Sequence, residues 1–479
     1  KLVTGVQTCA LPIWASEMTD FHYSSMLPAT SDVAFAWHEK PGAFQRLSPP
    51  WKSINVLEQR GTIHDGDELL LRIKVGPVKI NWLARHQNFQ AGKQFEDVQV
   101  RGPFASWIHN HRFESTNGNS CRLHDQIEYR FPVGKIGAFL AGKRFSHQMK
   151  ALFEYRHRQT KEDLELFSRY STERKLKVAV TGSSGMVGSA LCALLGVTGH
   201  DVIRLIRTES KVDKIDPRWD PAKGILDAEN LEGIDAVIHL AGENLANRRW
   251  SPKQMAEIRD SRVNGTKNLI TSLLKLKQPP KTFICASAIG YYGDRGEERL
   301  TENSECGDGF LSQVVQDWEH AALSAADHGV RVVLARLGVV LDPRGGALSK
   351  MLLPFRLGLG GSIGHGRQTM SWVSLDDAIG AIYHVLMKTS IDGPVNIVAP
   401  NPTTNRHFAR ALGRVLRRPA IAPLPALAAK ALFGKMAKEL LLAGTHVTNG
   451  KLSSSGFRYR DPELGPALSW MLGCGSTSQ

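Results

Sequence analysis

The residues with the clearest chemical potential are three glycines, Gly182, Gly185 and Gly188, at three-residue intervals in Lys177-Val-Ala-Val-Thr-Gly182-Ser-Ser-Gly185-Met-Val-Gly188. An apolar run that feeds such a turn and then an apolar helix makes a seat for a dinucleotide. Gly182 allows the tight turn, Gly185 lets the backbone approach a pyrophosphate, and Gly188 lets the helix pack closely on the strand. Ser184 and Met186 belong to the same turn, and the helix N-terminus behind it faces the phosphates. The residue ending the second strand selects the nucleotide: a carboxylate there bonds a ribose 2′-hydroxyl, whereas a cation accommodates a 2′-phosphate. Arg207 stands at that place, and its guanidinium can take a phosphate through two parallel donors. NADP is therefore the expected cofactor, with NAD the less favoured one.

The elements that must position this turn are legible as apolar runs. Lys177 to Val180, Asp201 to Ile206, Ala236 to Leu240, Thr282 to Ala286, Val330 to Ala335 and Val395 to Ile397 alternate with helical patterns. That alternation implies an α/β, doubly wound parallel sheet with crossover helices. A chain of 479 residues exceeds what one core can fill, so more than one domain is expected. The polar bridge Ser171 to Lys175 marks the boundary. The expected division is residues 17–170, then a nucleotide-binding domain over 176–400, then a helical region on the substrate side over 401–472. Lys1 to Trp14 resembles translated adapter sequence, so 1–16 is set aside from fold reasoning.

Composition narrows the partners. A hydrophobic content of 42% with 22% charged residues is that of a soluble globular protein, and no apolar run reaches membrane-spanning length. The net charge of +14 comes from dispersed Lys and Arg, which points to a solvated surface and to no nucleic-acid partner. The six Cys, at 9, 121, 192, 285, 306 and 474, show no paired spacing, as expected in a reducing, cytoplasmic compartment. A small-molecule substrate is the expected partner.

Residues 17–170 have a different texture. Period-two alternation runs through Glu68 to Val75, Lys79 to Phe89, Phe95 to Val100 and Arg122 to Phe131, with turns at Asp65-Gly66 and Gly92. Helical spacing occupies Asp32 to Phe44 and Lys135 to Arg169, the latter through Phe139, Leu140, Phe145, Met149, Leu152 and Phe153. This order resembles the helix-grip fold of the START and Bet v 1-like superfamily, whose curved sheet wraps the last helix. The resemblance implies an interior lined by Trp37, Trp82, Trp107 and Phe113, and an apolar small molecule as ligand; the same aromatics would serve equally to fill a core. His109-Asn-His111 puts two imidazoles on one strand face, yet no third ligand is evident, and no metal site is expected.

Beyond the glycine turn, Ile234-Asp-Ala-Val-Ile-His-Leu-Ala-Gly-Glu-Asn244, Arg262-Val-Asn-Gly-Thr-Lys-Asn-Leu, Ser287-Ala-Ile-Gly-Tyr-Tyr-Gly293 and Trp372-Val-Ser-Leu-Asp-Asp377 follow in the order of extended short-chain reductases and sugar-nucleotide epimerases. Trp250, Asp317-Trp-Glu319, Leu352-Leu-Pro-Phe-Arg-Leu-Gly-Leu-Gly-Gly361, Glu439-Leu-Leu-Leu-Ala-Gly444 and Gly456-Phe-Arg-Tyr459 narrow this. Over residues 176–472 the chain resembles the atypical SDR39U1-like or YfcH-like epimerase branch, in which an N-terminal polyketide cyclase/START-like domain is sometimes fused. The resemblance implies an NADP-linked oxidoreductase or epimerase. It also implies that Leu240 and Ala241 line the adenine side, that Glu257 and Arg262 approach the cofactor from the following helix, and that Val340 lies near the nicotinamide.

One departure bears on the chemistry. Short-chain reductases pair a Tyr with a Lys four residues later, the Lys lowering the phenol's pKa, while a Ser polarises the carbonyl. Here the corresponding helix, Phe310 to Glu319, has neither Tyr nor Lys. Ser287 lies within one residue of the family's Ser position, and Tyr291 and Tyr292 are the nearest phenols; Ser287 and Tyr292 are the expected catalytic pair. Asp317 and Glu319, two apart on a helix, point apart, and Asp376 is expected to cap the next helix. Two other functions fit the same features: an NADP(H)-binding sensor without turnover, and a lipid or polyketide carrier with a vestigial nucleotide-binding half.

Overall fold

The computed structural model describes residues 18–76, 78–116, 118–132, 134–170, 174–207, 216–226, 229–246 and 248–475, with backbone alone at 75, 134–141, 225 and 229. The leading segment 1–16 and residues 171–173 of the polar bridge lie outside them. The chain forms two compact units, one comprising the chain up to Glu39 with Lys52–Leu164, the other Lys40–Trp51 with Glu165 onward.

The first unit is built on a seven-stranded antiparallel sheet: β1 (Thr19–Leu27), β2 (Ile54–Arg60), β3 (Glu68–Val75), β4 (Val78–Gln90), β5 (Gln94–Arg101), β6 (Ser106–Ser115) and β7 (Cys121–Arg130), in the order β1-β7-β6-β5-β4-β3-β2. Helix α1 (Ser31–Glu39) precedes β2, and the long helix α2 (Gly134–Tyr170) follows β7. Alternation works as the period of two requires: Trp107, His109, His111 and Phe113 on β6 are buried, as are Leu123, Asp125, Ile127 and Tyr129 on β7. Trp82 and Trp107 meet edge-on at 5.1 Å, and Phe104, Tyr129, Phe131 and Phe145 pack beside them. Trp37 and Phe113 are also buried.

The helical spacing of Asp32 to Phe44 is broken in the structure. Helix α1 stops at Glu39, Gly42 takes φ 97°, and Ala43–Arg46 forms a separate turn that belongs to the second unit. A side chain at Gly42 would stand 2.5 Å from the Ala193 carbonyl, so only glycine lets the chain pass so close. Residues 40–51, expected within 17–170, thus pack with the second unit.

The second unit holds six parallel strands, β8 (Lys177–Thr181), β9 (Asp201–Leu205), β10 (Ala236–His239), β11 (Thr282–Ala288), β12 (Arg331–Leu337) and β13 (Gly393–Ile397), in the order β13-β12-β11-β10-β8-β9. The near-continuous burial of β8, β10, β11 and β12 reflects cover on both faces. Helices α3 (Met186–Val197), α4 (Pro252–Leu273), α5 (Phe310–Leu323), α6 (Gly346–Arg356) and α7 (Leu375–Met387) supply the cover, α3 packing with α7 and α4 with α5. Strand order reverses between β8 and β10, and such a switch opens a crevice at the carboxyl ends of the two strands. The cap of α7 differs from expectation. Ser374, in extended backbone, accepts the Asp377 N–H at 3.1 Å, while Asp376 pairs with Arg46 at 2.8 Å. The capping side chain must sit just before the first helical residue to reach an N–H three positions on, and the helix begins at Leu375.

Candidate functional site

The glycine turn occupies the switch point. Gly182 has φ 66°, and a side chain there would stand 2.8 Å from the Leu240 carbonyl carbon. Leu240 and Ala241 donate their backbone N–H groups to Thr181 Oγ1 at 3.1 and 3.2 Å, which ties the end of β10 to the end of β8. A side chain at Gly188 would stand 2.1 Å from the Gly182 carbonyl oxygen, so helix and turn are in contact. Gly185 precedes α3 with no side-chain cap, leaving the first N–H groups of that helix uncovered by a capping side chain. Ser183 is 1% exposed and its Oγ has no hydrogen-bond partner. An orphaned buried hydroxyl is uncommon in a folded protein; in this turn it fits a phosphate oxygen, as do the free helix donors. Ser184 is exposed on the same turn.

Met186 and Val340 approach one another through a glycine pair. A side chain at Gly345 would meet Met186 Sδ at 2.9 Å, and one at Gly346 would meet the Val340 carbonyl at 3.4 Å. Arg262 reaches the turn after β10: its Nη1 donates to the Ile258 carbonyl at 3.1 Å, its Cζ stands 3.1 Å from the side-chain position of Gly242, and it covers Trp318 at 5.2 Å. Burial pushes the guanidinium pKa down to about 10. Glu257, one turn earlier on α4, is half-exposed and forms no ion pair among the described residues. Arg207 lies two residues after β9, whose Leu205 pairs with Thr181; it is exposed and likewise without an ion pair among the described residues.

A second grouping crosses the sheet at the carboxyl ends of β11, β12 and β13, where Ser287, Arg336 and Asn396 lie in register. All three are buried. Arg336 donates through Nε and Nη2 to the two oxygens of Glu319 at 2.8 and 2.7 Å, and through Nη1 to the Tyr292 hydroxyl at 2.9 Å. Tyr292 donates to Asn396 Oδ1 at 2.7 Å, and Ser287 to Glu319 Oε1 at 2.5 Å. The two hydroxyls expected to do chemistry are thus enclosed in one polar network, and Tyr292 is 0% exposed. Burial pushes the Tyr292 phenol up, with Arg336 only partly offsetting it; a reductase phenol needs the opposite shift. Tyr291 is half-buried, with the Arg336 guanidinium 3.7 Å from its ring centroid. On α5, Asp317 turns outward to Arg259 at 2.9 Å while Glu319 turns inward. Arg336 and Asn396 were not singled out in the sequence. The available signal was a cation inside Val332-Val-Leu-Ala-Arg336-Leu, because a charge in a buried run needs a buried partner.

The absence of a third ligand near His109 and His111 is corrected by the fold, which brings Asp97 within ligand range of both. Cross-strand pairing supplies it, and spacing along one strand cannot show that. A cavity of about 240 Å³, lined by residues including Lys175, Gly199 and His200, lies where the chain enters β8 and β9, away from the carboxyl-end grouping.

Comparison with known proteins agrees with this architecture. Residues 178–398 match the NAD dependent epimerase/dehydratase family, 424–471 match the domain of unknown function DUF1731, and 27–153 match the family of polyketide cyclase / dehydrase and lipid transport. An epimerase family protein of Mycobacterium leprae is 42% identical over 62% of this chain and 96% of its own length. The nucleoside-diphosphate sugar epimerase from Corynebacterium glutamicum aligns with a TM-score of 0.76 at 34% identity, covering 95% of this chain and 90% of that one. Human epimerase family protein SDR39U1 with NADPH aligns with a TM-score of 0.56 at 36% identity, covering 62% of this chain and 99% of that one. With the glycine turn at the switch point of a parallel sheet and relatives matched over nearly their whole length, the chain belongs to the epimerase family that includes SDR39U1, and it carries an N-terminal domain of the polyketide cyclase type.

Proposed function

We propose that the second unit is an NADP(H)-dependent oxidoreductase or epimerase of the atypical short-chain type, acting on a small molecule at the carboxyl ends of β8, β10 and β11. The observation that carries this reading is the orphaned Ser183 hydroxyl inside a glycine turn that closes on an uncapped helix N-terminus. The NADPH bound to human SDR39U1 supports the same nucleotide here. Ser183, Ser184 and the backbone from Gly182 to Gly188 hold the pyrophosphate; Arg207 takes the 2′-phosphate; Leu240, Ala241, Glu257 and Arg262 border the adenosine half, and Met186 and Val340 the nicotinamide half. A bound nicotinamide supplies or accepts a hydride. The roles assigned to Ser287 and Tyr292 follow from their burial: they orient Glu319 and Arg336, and Arg336 covers the ring of Tyr291, the more accessible phenol.

The substrate class follows the nucleoside-diphosphate sugar named for the Corynebacterium relative, and the polyketide cyclase match supports a separate small-molecule ligand for the first unit. The described cysteines are all unpaired, which supports a reducing, cytoplasmic compartment. The enclosure of Ser287 and Tyr292 favours one second reading, a protein that binds NADP(H) as a sensor without turnover. Denaturing the purified chain and identifying released nucleotide by mass tests the cofactor assignment. Release of NADP(H), or its tight binding on titration, is expected. Selective retention of NAD(H), or no binding of either, overturns it.

A further inference from the structure

Three neighbouring strands of the first unit gather two histidines and two aspartates on the inner face of the sheet. His109 and His111 alternate on β6 and so share that face. Asp97 on β5 stands directly across from His109, and Asp125 on β7 directly across from His111. His109, His111 and Asp125 are buried, whereas the Asp97 side chain keeps 20% exposure. Asp97 Oδ2 lies 3.0 Å from His109 Nδ1 and 3.4 Å from His111 Nε2. The far nitrogens of the two rings, His109 Nε2 and His111 Nδ1, both approach Asp125 Oδ1, at 2.8 and 2.7 Å. The other oxygen of Asp125 is 2.5 Å from His157 Nε2, and His157 Nδ1 is 2.7 Å from Ser25 Oγ. His111 Nδ1, despite its closeness to Asp125, has no partner at a hydrogen-bonding angle.

These separations match the spacing of ligands around a metal. Two donors each about 2.0–2.1 Å from a common ion stand about 2.8–3.4 Å apart, from octahedral to tetrahedral geometry. Both distances from Asp97 Oδ2 fall there, and donor atoms of Asp97, His109 and His111 all lie within 4.8 Å of one another. The surroundings match as well. A metal-ligating imidazole presents its far nitrogen to a carboxylate that fixes the ring; here Asp125 does this for His109, lies 2.7 Å from the far nitrogen of His111, and is itself held by His157.

We propose that Asp97 Oδ2, His109 Nδ1 and His111 Nε2 bind one divalent transition-metal ion, with Asp125 orienting the His109 imidazole. Two nitrogens and one carboxylate oxygen suit zinc, iron or cobalt rather than magnesium or calcium. Three protein ligands leave coordination positions open. Phe95 stacks on His111 at 4.2 Å and Phe153 meets His109 edge-on at 5.3 Å, so aromatic walls flank the ion. The open position takes an oxygen or nitrogen donor on a small molecule with an apolar body. The proposal is independent of the nucleotide seat in the second unit.

The test uses the full chain, freed of metal by a chelator and titrated with cobalt(II) while visible ligand-field absorption is followed. Saturation at one ion per chain is expected, with the bands lost on addition of zinc. Asp97→Ala removes the saturable signal, and Asp125→Asn weakens affinity about 10–100-fold. Far-ultraviolet circular dichroism checks that each variant is folded; if Asp97→Ala is not, His111→Gln carries the same comparison. No saturable cobalt band in the wild-type chain, or equal uptake by the wild type and a folded ligand variant, overturns the proposal.

Discussion

Arg336 holds Glu319 at two points inside the second unit, each guanidinium arm facing its own carboxylate oxygen at 2.7–2.8 Å, with both side chains under 10% exposed. Removing one member leaves the other charged and enclosed, and such losses run to about 3–5 kcal/mol. Arg336→Met should therefore lower stability by about that amount in urea unfolding, whereas Arg336→Met combined with Glu319→Leu should recover most of it. An equally large loss in the double variant would contradict a charge-burial origin.

Ser183→Ala should separate folding from binding. The Ser183 hydroxyl is buried without a partner, so its removal should leave the melting temperature unchanged or slightly raised. A hydrogen bond to a charged group is worth about 1.5–3 kcal/mol, so affinity for NADPH should fall about tenfold or more. Unchanged affinity would show that the hydroxyl does not face a phosphate.

Gly188→Ala places a methyl group 2.1 Å from the Gly182 carbonyl oxygen. The turn must shift, and both stability and nucleotide binding should drop. Gly142→Ala is the control, because nothing lies within 4 Å of that position on α2; there the helix should gain up to about 1 kcal/mol. Differential scanning calorimetry and nucleotide titration read both outcomes.

His239 bears on acid stability. Its ring lies between Thr181 Oγ1 at 2.7 Å and Thr266 Oγ1 at 3.0 Å, and burial, with Arg262 adding to it, pushes its pKa down to about 3. Below about pH 6.5 the unfolded chain takes up a proton that the folded ring refuses, so stability complete above that pH declines by up to about 1.4 kcal/mol per pH unit as the solution is acidified. The decline from this group ends near pH 3. His200 and His384, pushed down to about 4 by burial, act in the same direction. His239→Asn should make the pH dependence of unfolding shallower by one histidine's share between pH 6 and 4; an unchanged slope would contradict the assignment.

The features legible in the sequence were those written locally. The glycine turn and the apolar parallel strands are continuous segments, and β3 runs from Glu68 to Val75 as its alternation implied. The exposed edge strand β2, with burial at hardly any position, carries no alternation to read. Long-range pairs were invisible for a different reason. Arg46 meets Asp376 across 330 residues, and the Ser287, Arg336 and Asn396 row exists only once three strands are in register. Asp97 likewise joins His109 only by strand pairing.

The central claim is that the glycine turn and Arg207 together seat NADPH. Titrating the wild-type chain and Arg207→Ala with NADPH and NADH, followed by nicotinamide fluorescence, tests it most directly. The wild type should bind NADPH more tightly than NADH, and Arg207→Ala should lose that preference while keeping its weaker NADH affinity. Equal affinity for both nucleotides in the wild type, or an undiminished NADPH preference in Arg207→Ala, would contradict the account.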